Sequence, residues 1–143
     1  MGMTEESRKK IIDILNIDRA HELANIIQYM GHHYEARGLE SMSVKGFFKE
    51  SAINEMTHAE RLAERVSALG GIPVQKPTPV KRGGTLEEML RDDLAVERAA
   101  IERYREHIRI CAEEGDTTTR RLLEELLEDE EGHADTIEQL LGE

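Results

Sequence analysis

Apolar residues recur at helical spacings of three and four along most of this 143-residue chain. No segment alternates apolar and polar residues as a half-buried strand would. Glycine and proline interrupt the helical pattern at only a few places, and these breaks divide it into four segments. The sequence therefore predicts four helices and no strands, with the helices over about residues 4–38, 43–69, 85–114 and 117–141.

Residues that commonly begin helices stand at all four predicted starts. Thr4 precedes two glutamates, and acidic residues stabilise the first turn of a helix. Ser43 is a candidate N-cap for the second helix. Thr85 and Glu88 have the spacing of a capping box at the start of the third. Asp116 is the candidate cap of the fourth helix.

The lengths of the breaks indicate how the helices connect. The breaks at 39–43 and near 115 are short, so helices one and two should be antiparallel, as should helices three and four. Segment 71–84 is longer and holds all three prolines. Fully extended it would span about 46 Å, whereas the second helix is roughly 39 Å long. The sequence predicts one all-α domain over 1–143, a four-helix bundle with one long crossover between helices two and three.

Glutamates and histidines occupy positions of the apolar stripes where leucine would be expected. Each helix contributes one such glutamate, and helices two and four add a histidine three residues later. The set is Glu22, Glu55, His58, Glu97, Glu130 and His133. An unpaired buried carboxylate is costly, and no lysine or arginine lies on these stripes. Two divalent cations would neutralise the four carboxylates, and carboxylate with imidazole suits iron or manganese.

The same pattern occurs twice in the chain at a separation of 75 residues. The repeat relates Glu22, Tyr29, Glu55 and His58 to Glu97, Tyr104, Glu130 and His133. Within each predicted hairpin the two glutamates are equally far from the turn, so all four helices should deliver them at one height. The alternative, solvated surface glutamates beside core histidines, would not produce equal heights. Asn54 and Asp129, also 75 apart, are candidate partners of the histidines, with a plain polar surface as the alternative.

Charge and composition then exclude several classes of protein. Thirty acidic against 19 basic residues give a net charge of −11, which disfavours nucleic acid or an anionic membrane as a partner. No apolar run is long enough to cross a membrane, and the first twenty residues lack the apolar region of a signal peptide. Cys111 is the only cysteine, so it is interpreted as a small core residue. We expect a cytoplasmic location.

Four segments carry a resemblance to a known family: HELANIIQYMGHH (21–33), NEMTHAERLAERVSALGGIP (54–73), LEEMLRDDLAVE (86–97) and LLEELLEDEEGHADTIEQL (122–140). With these motifs and spacings the chain resembles the ferritin-like di-iron carboxylate superfamily, and within it the bacterioferritins, over about residues 4–142.

The resemblance implies a ferroxidase centre that holds two iron ions per subunit. By position it implies that Glu55 and Glu130 bridge the two irons. It implies Glu22 with His58 at one iron, and Glu97 with His133 at the other. It also implies that Tyr29 is a catalytic tyrosine beside the metals.

Met56 departs from the internal repeat, because its counterpart is Glu131. One residue beyond Glu55, its side chain should point about 100° away from the core. In bacterioferritins a methionine at this position, from each of two subunits, ligates a haem on the dimer axis. The resemblance thus implies that Met56 is an axial ligand of a haem shared between two subunits. The alternative is that Met56 forms a dry dimer contact without a cofactor, together with an apolar stripe of helix one that contains Leu23, Ile27 and Met30.

The function implied by the resemblance is iron oxidation and storage. Such a ferroxidase binds Fe(II), oxidises it with O₂ or H₂O₂ and deposits ferric mineral inside a hollow homo-oligomer. The fifth short helix of bacterioferritins does not follow the bundle in this sequence, so we expect a twelve-subunit shell rather than one of 24 subunits. The alternatives are a rubrerythrin-like peroxide reductase without storage, and a haem-binding or electron-transfer bundle. The paired-cysteine module usual in rubrerythrins is not present.

Overall fold

The computed structural model describes residues 2–143, and its regular structure is almost entirely α-helical. The elements are a single 3₁₀ turn at Leu39–Ser41 and four long helices: α1 (Glu5–Glu35), α2 (Lys45–Ala68), α3 (Leu86–Glu114) and α4 (Thr117–Leu141). The described part of the chain contains no strand. The predicted all-α four-helix bundle is therefore confirmed.

The crossover between α2 and α3 runs back along α1, as its length predicts. Near its start the side chain of Asn16 accepts a hydrogen bond from the Val74 amide (2.9 Å). Further along, the Thr78 amide donates to the Ala20 carbonyl (3.2 Å), and the Lys81 amide donates to the side chain of Gln28 (2.9 Å). These contacts advance along α1 in step with the crossover, so α3 starts at the same end of the bundle as α2.

Three of the predicted helix caps are present. The Thr4 hydroxyl accepts from the Ser7 amide (3.0 Å) at the start of α1. Thr85 and Glu88 form a complete capping box, with bonds of 2.9 and 3.1 Å. Asp116 accepts from the Thr119 amide (3.0 Å) at the start of α4.

The predicted cap at Ser43 is wrong, and the turn before α2 explains why. The 3₁₀ turn continues through the Val44 amide, which donates to the Ser41 carbonyl (3.0 Å). Val44 is buried and takes the cap position without a side-chain bond. Helix α1 also ends earlier than expected, at Glu35, because Ala36 is extended and Gly38 has a φ of 93°.

The apolar core consists of two separate clusters. One contains Ile11, Leu15, Leu62, Val66, Leu123 and Leu126 among others, and it also holds the buried Cys111. The other contains Tyr29, Phe48, Met89, Leu90, Leu94 and Ile137 among others. The predicted glutamates and histidines fall between these clusters in the sequence of every helix. Across residues 2–143, no helix is long and apolar enough to cross a membrane.

The Asp116 cap also joins two hairpins, so its loss should cost more than the loss of an isolated cap. Its carboxylate accepts from Arg65 of α2 (3.0 Å) as well as from Thr119. We expect Asp116→Ala to lower the free energy of unfolding of the metal-free protein by about 2 kcal/mol or more. Thr85→Ala, which removes an exposed cap, should cost about 1 kcal/mol. Urea denaturation of both variants checks this, and equal losses would contradict the role given to Arg65.

Candidate metal centre

Six side chains from four helices converge in the middle of the bundle. They are the four glutamates and two histidines that interrupt the apolar stripes: Glu22, Glu55, His58, Glu97, Glu130 and His133. The four glutamates are fully buried, and His58 is 1% exposed. His133 is more accessible, since 14% of its side chain is exposed.

The six side chains form two overlapping groups. Glu22 and His58 make one group with Glu55 and Glu130, and Glu97 and His133 make the other with the same two glutamates. Within each group one ligand atom of every residue lies within 4.8 Å of the others. Two metal ions could therefore share Glu55 and Glu130.

In the first group the imidazole of His58 faces three carboxylates. Its Nδ1 lies 3.2 Å from Glu130, 3.4 Å from Glu55 and 3.5 Å from Glu22. Its Nε2 is held 2.8 Å from the carboxylate of Asp129. Burial lowers the pKa of His58, but the nearby carboxylates of Glu130 and Glu22 outweigh burial and raise the pKa to about 11. A metal ion bound at Nδ1 would displace the proton there.

In the second group the histidine is bonded to a glutamate of the same group. Nδ1 of His133 lies 2.6 Å from Oε2 of Glu97. It lies farther from Glu55, at 3.5 Å, and from Glu130, at 3.6 Å. Burial lowers the pKa of His133, so this imidazole tends toward the neutral form that binds metals.

Three of the four glutamates resist ionisation. Burial raises the pKa of Glu55 and Glu97 well above the ordinary value, and the charge of Glu130 raises both further. Burial also raises the pKa of Glu22. Glu130 differs: burial opposes its ionisation, but the neighbouring His58 and Glu55 side chains bring its pKa down to about 2. Holding all four in the charged form requires a compensating cation.

The buried polar atoms that have no hydrogen-bond partner are concentrated in this cluster. They include Glu22 Oε2, Glu55 Oε1, His58 Nδ1, Glu97 Oε1 and both carboxylate oxygens of Glu130. Buried polar atoms in folded proteins nearly always have a partner. Oxygen and imidazole nitrogen donors in this number suit iron or manganese, so the residues present fit a pair of divalent ions.

Neighbouring side chains hold the other atoms of this cluster. The Tyr104 hydroxyl donates to Oε1 of Glu22 (2.6 Å), and the Asn25 amide donates to Oε2 of Glu55 (3.0 Å). In each glutamate the second oxygen has no partner and remains available to a metal. The sequence pattern did not single out Asn25, and it gave Tyr104 no role beyond the repeat.

The expectation for Asn54 and Asp129 holds only for Asp129. Asp129 bonds His58, as described above, but the Asn54 amide donates to Asp129 (3.3 Å) and not to a histidine. Tyr29 lies where the sequence places it, buried with its ring edge-on to His133 at a centroid distance of 6.2 Å. Its hydroxyl has no partner.

Two buried aspartate–histidine pairs are not predicted by the sequence analysis. Asp93 bonds His32 (2.8 Å), and Asp18 bonds His107 (2.8 Å). The 75-residue repeat relates the two pairs, so a search for identical polar residues at this separation would have revealed them. Each pair joins α1 to α3. Gln28 bonds Asp93 (2.8 Å), and its counterpart Arg103 bonds Asp18 (2.9 Å).

An acidic groove on the surface of α2 and α4 leads to His133. Its lining includes Glu50, Asn54, Glu128 and Asp129 together with His133. The groove joins solvent to the more accessible histidine of the centre. Its carboxylates would concentrate cations at this opening.

Met56 lies outside the metal centre, on the outer face of α1 and α2. It is 54% exposed. A shallow groove beside it is lined by Leu23, Ile26, Ala59 and Ala63 among others. This surface is largely apolar and presents one thioether.

Comparison with known proteins agrees with this arrangement. Residues 12–143 match the ferritin-like domain family. Bacterioferritin from Desulfovibrio desulfuricans is 38% identical over 140 residues, which cover 97% of this chain and 78% of that protein. Bacterioferritin from Rhodobacter capsulatus is 40% identical over 132 residues, 90% of this chain and 81% of the other.

Solved structures give the same result. The Desulfovibrio desulfuricans bacterioferritin, whose diiron site is described in different catalytic states, superposes with a TM-score of 0.91 and 36% identity, covering 98% of this chain and 82% of the other. A ferritin-like diiron-carboxylate protein from Bacillus anthracis gives a TM-score of 0.92 and 31% identity, covering 96% and 99%. The chain therefore belongs to the ferritin-like domain family, and within it to the bacterioferritins.

Proposed function

We propose that this bacterioferritin is a ferroxidase that oxidises Fe(II) with O₂ or H₂O₂ and stores the ferric product inside a hollow homo-oligomer. The observation that carries the proposal is the cluster of unpartnered, buried ligand atoms in two overlapping groups. The diiron site of the Desulfovibrio desulfuricans relative supports iron as the metal.

The two overlapping groups suggest how the ligands are divided. Glu55 and Glu130 belong to both groups and would bridge two irons. Glu22 with His58 would complete one iron site. Glu97 with His133 would complete the other. A pair of irons bound here supplies two electrons together to the oxidant.

The protein's own residues prepare this chemistry in three ways. The buried carboxylates favour Fe(III) over Fe(II), because they concentrate negative charge in a medium of low dielectric constant. Asp129 holds the Nε2 proton of His58 and so leaves Nδ1 to the metal. The acidic groove at His133 attracts Fe(II) from solvent.

Loss of a bridging carboxylate should abolish the oxidation of Fe(II). We expect Glu130→Ala to bring the oxidation rate down to that of iron without protein, because both iron sites lose a ligand. Glu124→Ala is the matched control, since Glu124 is an exposed glutamate on the same helix. Stopped-flow absorbance after mixing with Fe(II) and O₂ measures the rate. Full activity in the Glu130 variant would contradict the assignment.

Storage makes a prediction separate from oxidation. Anaerobic Fe(II) titration should saturate at two irons per chain. Aerobic loading should incorporate many more irons per chain, as ferric mineral inside the oligomer. Analytical ultracentrifugation of the unloaded protein tests the twelve-subunit shell against a 24-subunit one. A monomer or dimer that stops at two irons and reduces peroxide would instead support the rubrerythrin-like alternative.

A second proposal concerns Met56, which we propose as an axial ligand of a haem shared between two subunits. A thioether is a ligand of haem iron. The exposed side chain of Met56 stands beside Leu23 and Ile26, so the surface fits the apolar face of a macrocycle. The dry dimer contact without a cofactor is the alternative.

Haem addition to the purified protein distinguishes the two. We expect the wild type to gain the absorption band of a haem with methionine ligands, and Met56→Leu to lose it. Met42→Leu is the control, because Met42 is also exposed but lies in the turn before α2. An unchanged band in the Met56 variant, or no binding by the wild type, would favour the dry contact.

A further inference from the structure

The metal centre has a first half, Glu22 with His58, and a second half, Glu97 with His133. The 75-residue repeat relates the two halves, but the side chains around them differ. At the first half, Tyr104 donates to Glu22 (2.6 Å). At the second half, the equivalent tyrosine is Tyr29, and its buried hydroxyl has no partner. The two tyrosines are both buried and both occupy the same position in the repeat, yet only one of them holds a ligand.

The histidines show the same difference. Asp129 holds Nε2 of His58 at 2.8 Å. The repeat places Asn54 where it would serve His133 in the same way, but the Asn54 amide turns to Asp129. Only the first histidine is therefore fixed by a carboxylate on the side away from the metal centre.

The ligand atoms of the two halves are also in different states. In the first half, Oε2 of Glu22 and Nδ1 of His58 have no hydrogen-bond partner. In the second half, Oε2 of Glu97 and Nδ1 of His133 bond each other at 2.6 Å. A cation that uses both of these atoms must first separate them, whereas no bond between ligand atoms has to be broken in the first half.

Access differs in the opposite sense. His133 lines the acidic groove and is 14% exposed, whereas His58 is almost completely buried. A metal ion bound to His133 stands next to the route to solvent. In the second half, therefore, the ligands are not yet arranged for a metal ion, but a bound ion would exchange more easily with solvent.

We propose that the two halves bind metal in order, and that Tyr104 is the positioning residue that causes it. The half with Glu22 and His58 takes the first cation, because ligands already held in place lose little freedom on binding. The half with Glu97 and His133 takes the second cation and exchanges it with solvent. This inference rests on the proposed binding of two metal ions at this centre.

The test is an anaerobic titration of the metal-free oligomer with Co(II), followed by calorimetry and by visible absorption. For the wild type we expect two separate steps of one equivalent each. His133→Ala should keep the first step and lose the second. His58→Ala should lose the step of high affinity. These two variants locate each step in the structure.

Tyr104→Phe removes one hydroxyl and keeps the ring. We expect the affinity of the first step to fall about 10- to 100-fold, as when the partner of a metal ligand is lost elsewhere. Its absorption spectrum should change, and the second step should keep its affinity. Tyr29→Phe is the matched control: whatever it does to oxidation, it should leave the first affinity unchanged. A general loss of packing would instead weaken both steps.

Several results would overturn the inference. Two equal, indistinguishable steps in the wild type would remove the order while leaving the proposed ferroxidase intact. An unchanged first step in Tyr104→Phe, or an equal loss in Tyr29→Phe, would remove the role of Tyr104. If the wild type bound no Co(II), or if Glu130→Ala bound as much as the wild type, the proposed metal centre itself would fail.

Discussion

Mutual repulsion among four buried carboxylates is the constraint on which the rest of this structure depends. Each glutamate has lost its water, and the pKa values of Glu55 and Glu97 rise through burial and through the charge of Glu130. One protonated imidazole, His58, compensates chiefly Glu130. The centre is therefore unfavourable to folding until cations arrive, and the apolar clusters of the bundle must stabilise it meanwhile. Such a cost is usual where a site is built for binding and not for stability.

Convergence of the four glutamates also requires that the two hairpins hold a fixed rotation relative to each other. The buried pairs Asp18–His107 and Asp93–His32 meet this requirement, because each joins α1 of one hairpin to α3 of the other. An ion pair or hydrogen bond has a preferred direction, whereas apolar contacts allow helices to slide or turn. The crossover adds a further attachment, since its backbone amides donate hydrogen bonds to α1 at Asn16, Ala20 and Gln28.

The sequence was sufficient for the features that depend on spacing along one helix. The Thr85 capping box and the residues of the metal centre follow from spacings of three, four or 75 residues. The crossover follows from the length of segment 71–84. Features that depend on the choice between partners on different helices were not accessible. Asn54 illustrates this: its position in the repeat predicts a histidine partner, but the nearby carboxylate of Asp129 is the stronger acceptor. Ser43 failed for a local reason, because the 3₁₀ turn extends past it to Val44.

The two copies of the repeat have the same metal ligands but different neighbouring side chains. This difference allows the two halves of the metal centre to behave differently. Asn25 donates to Glu55, whereas the equivalent residue in the second copy of the repeat is Ala100. The alanine side chain cannot donate to the other shared glutamate, Glu130. On the outer face, the residue equivalent to the exposed Met56 is Glu131, which forms an ion pair with Arg105 at 3.2 Å. One hairpin therefore offers an apolar outer surface, and an ion pair occupies the same position on the other. Because none of these differences replaces any of the six ligands, the two halves can differ in affinity and in exchange without losing the ability to hold a pair of metal ions.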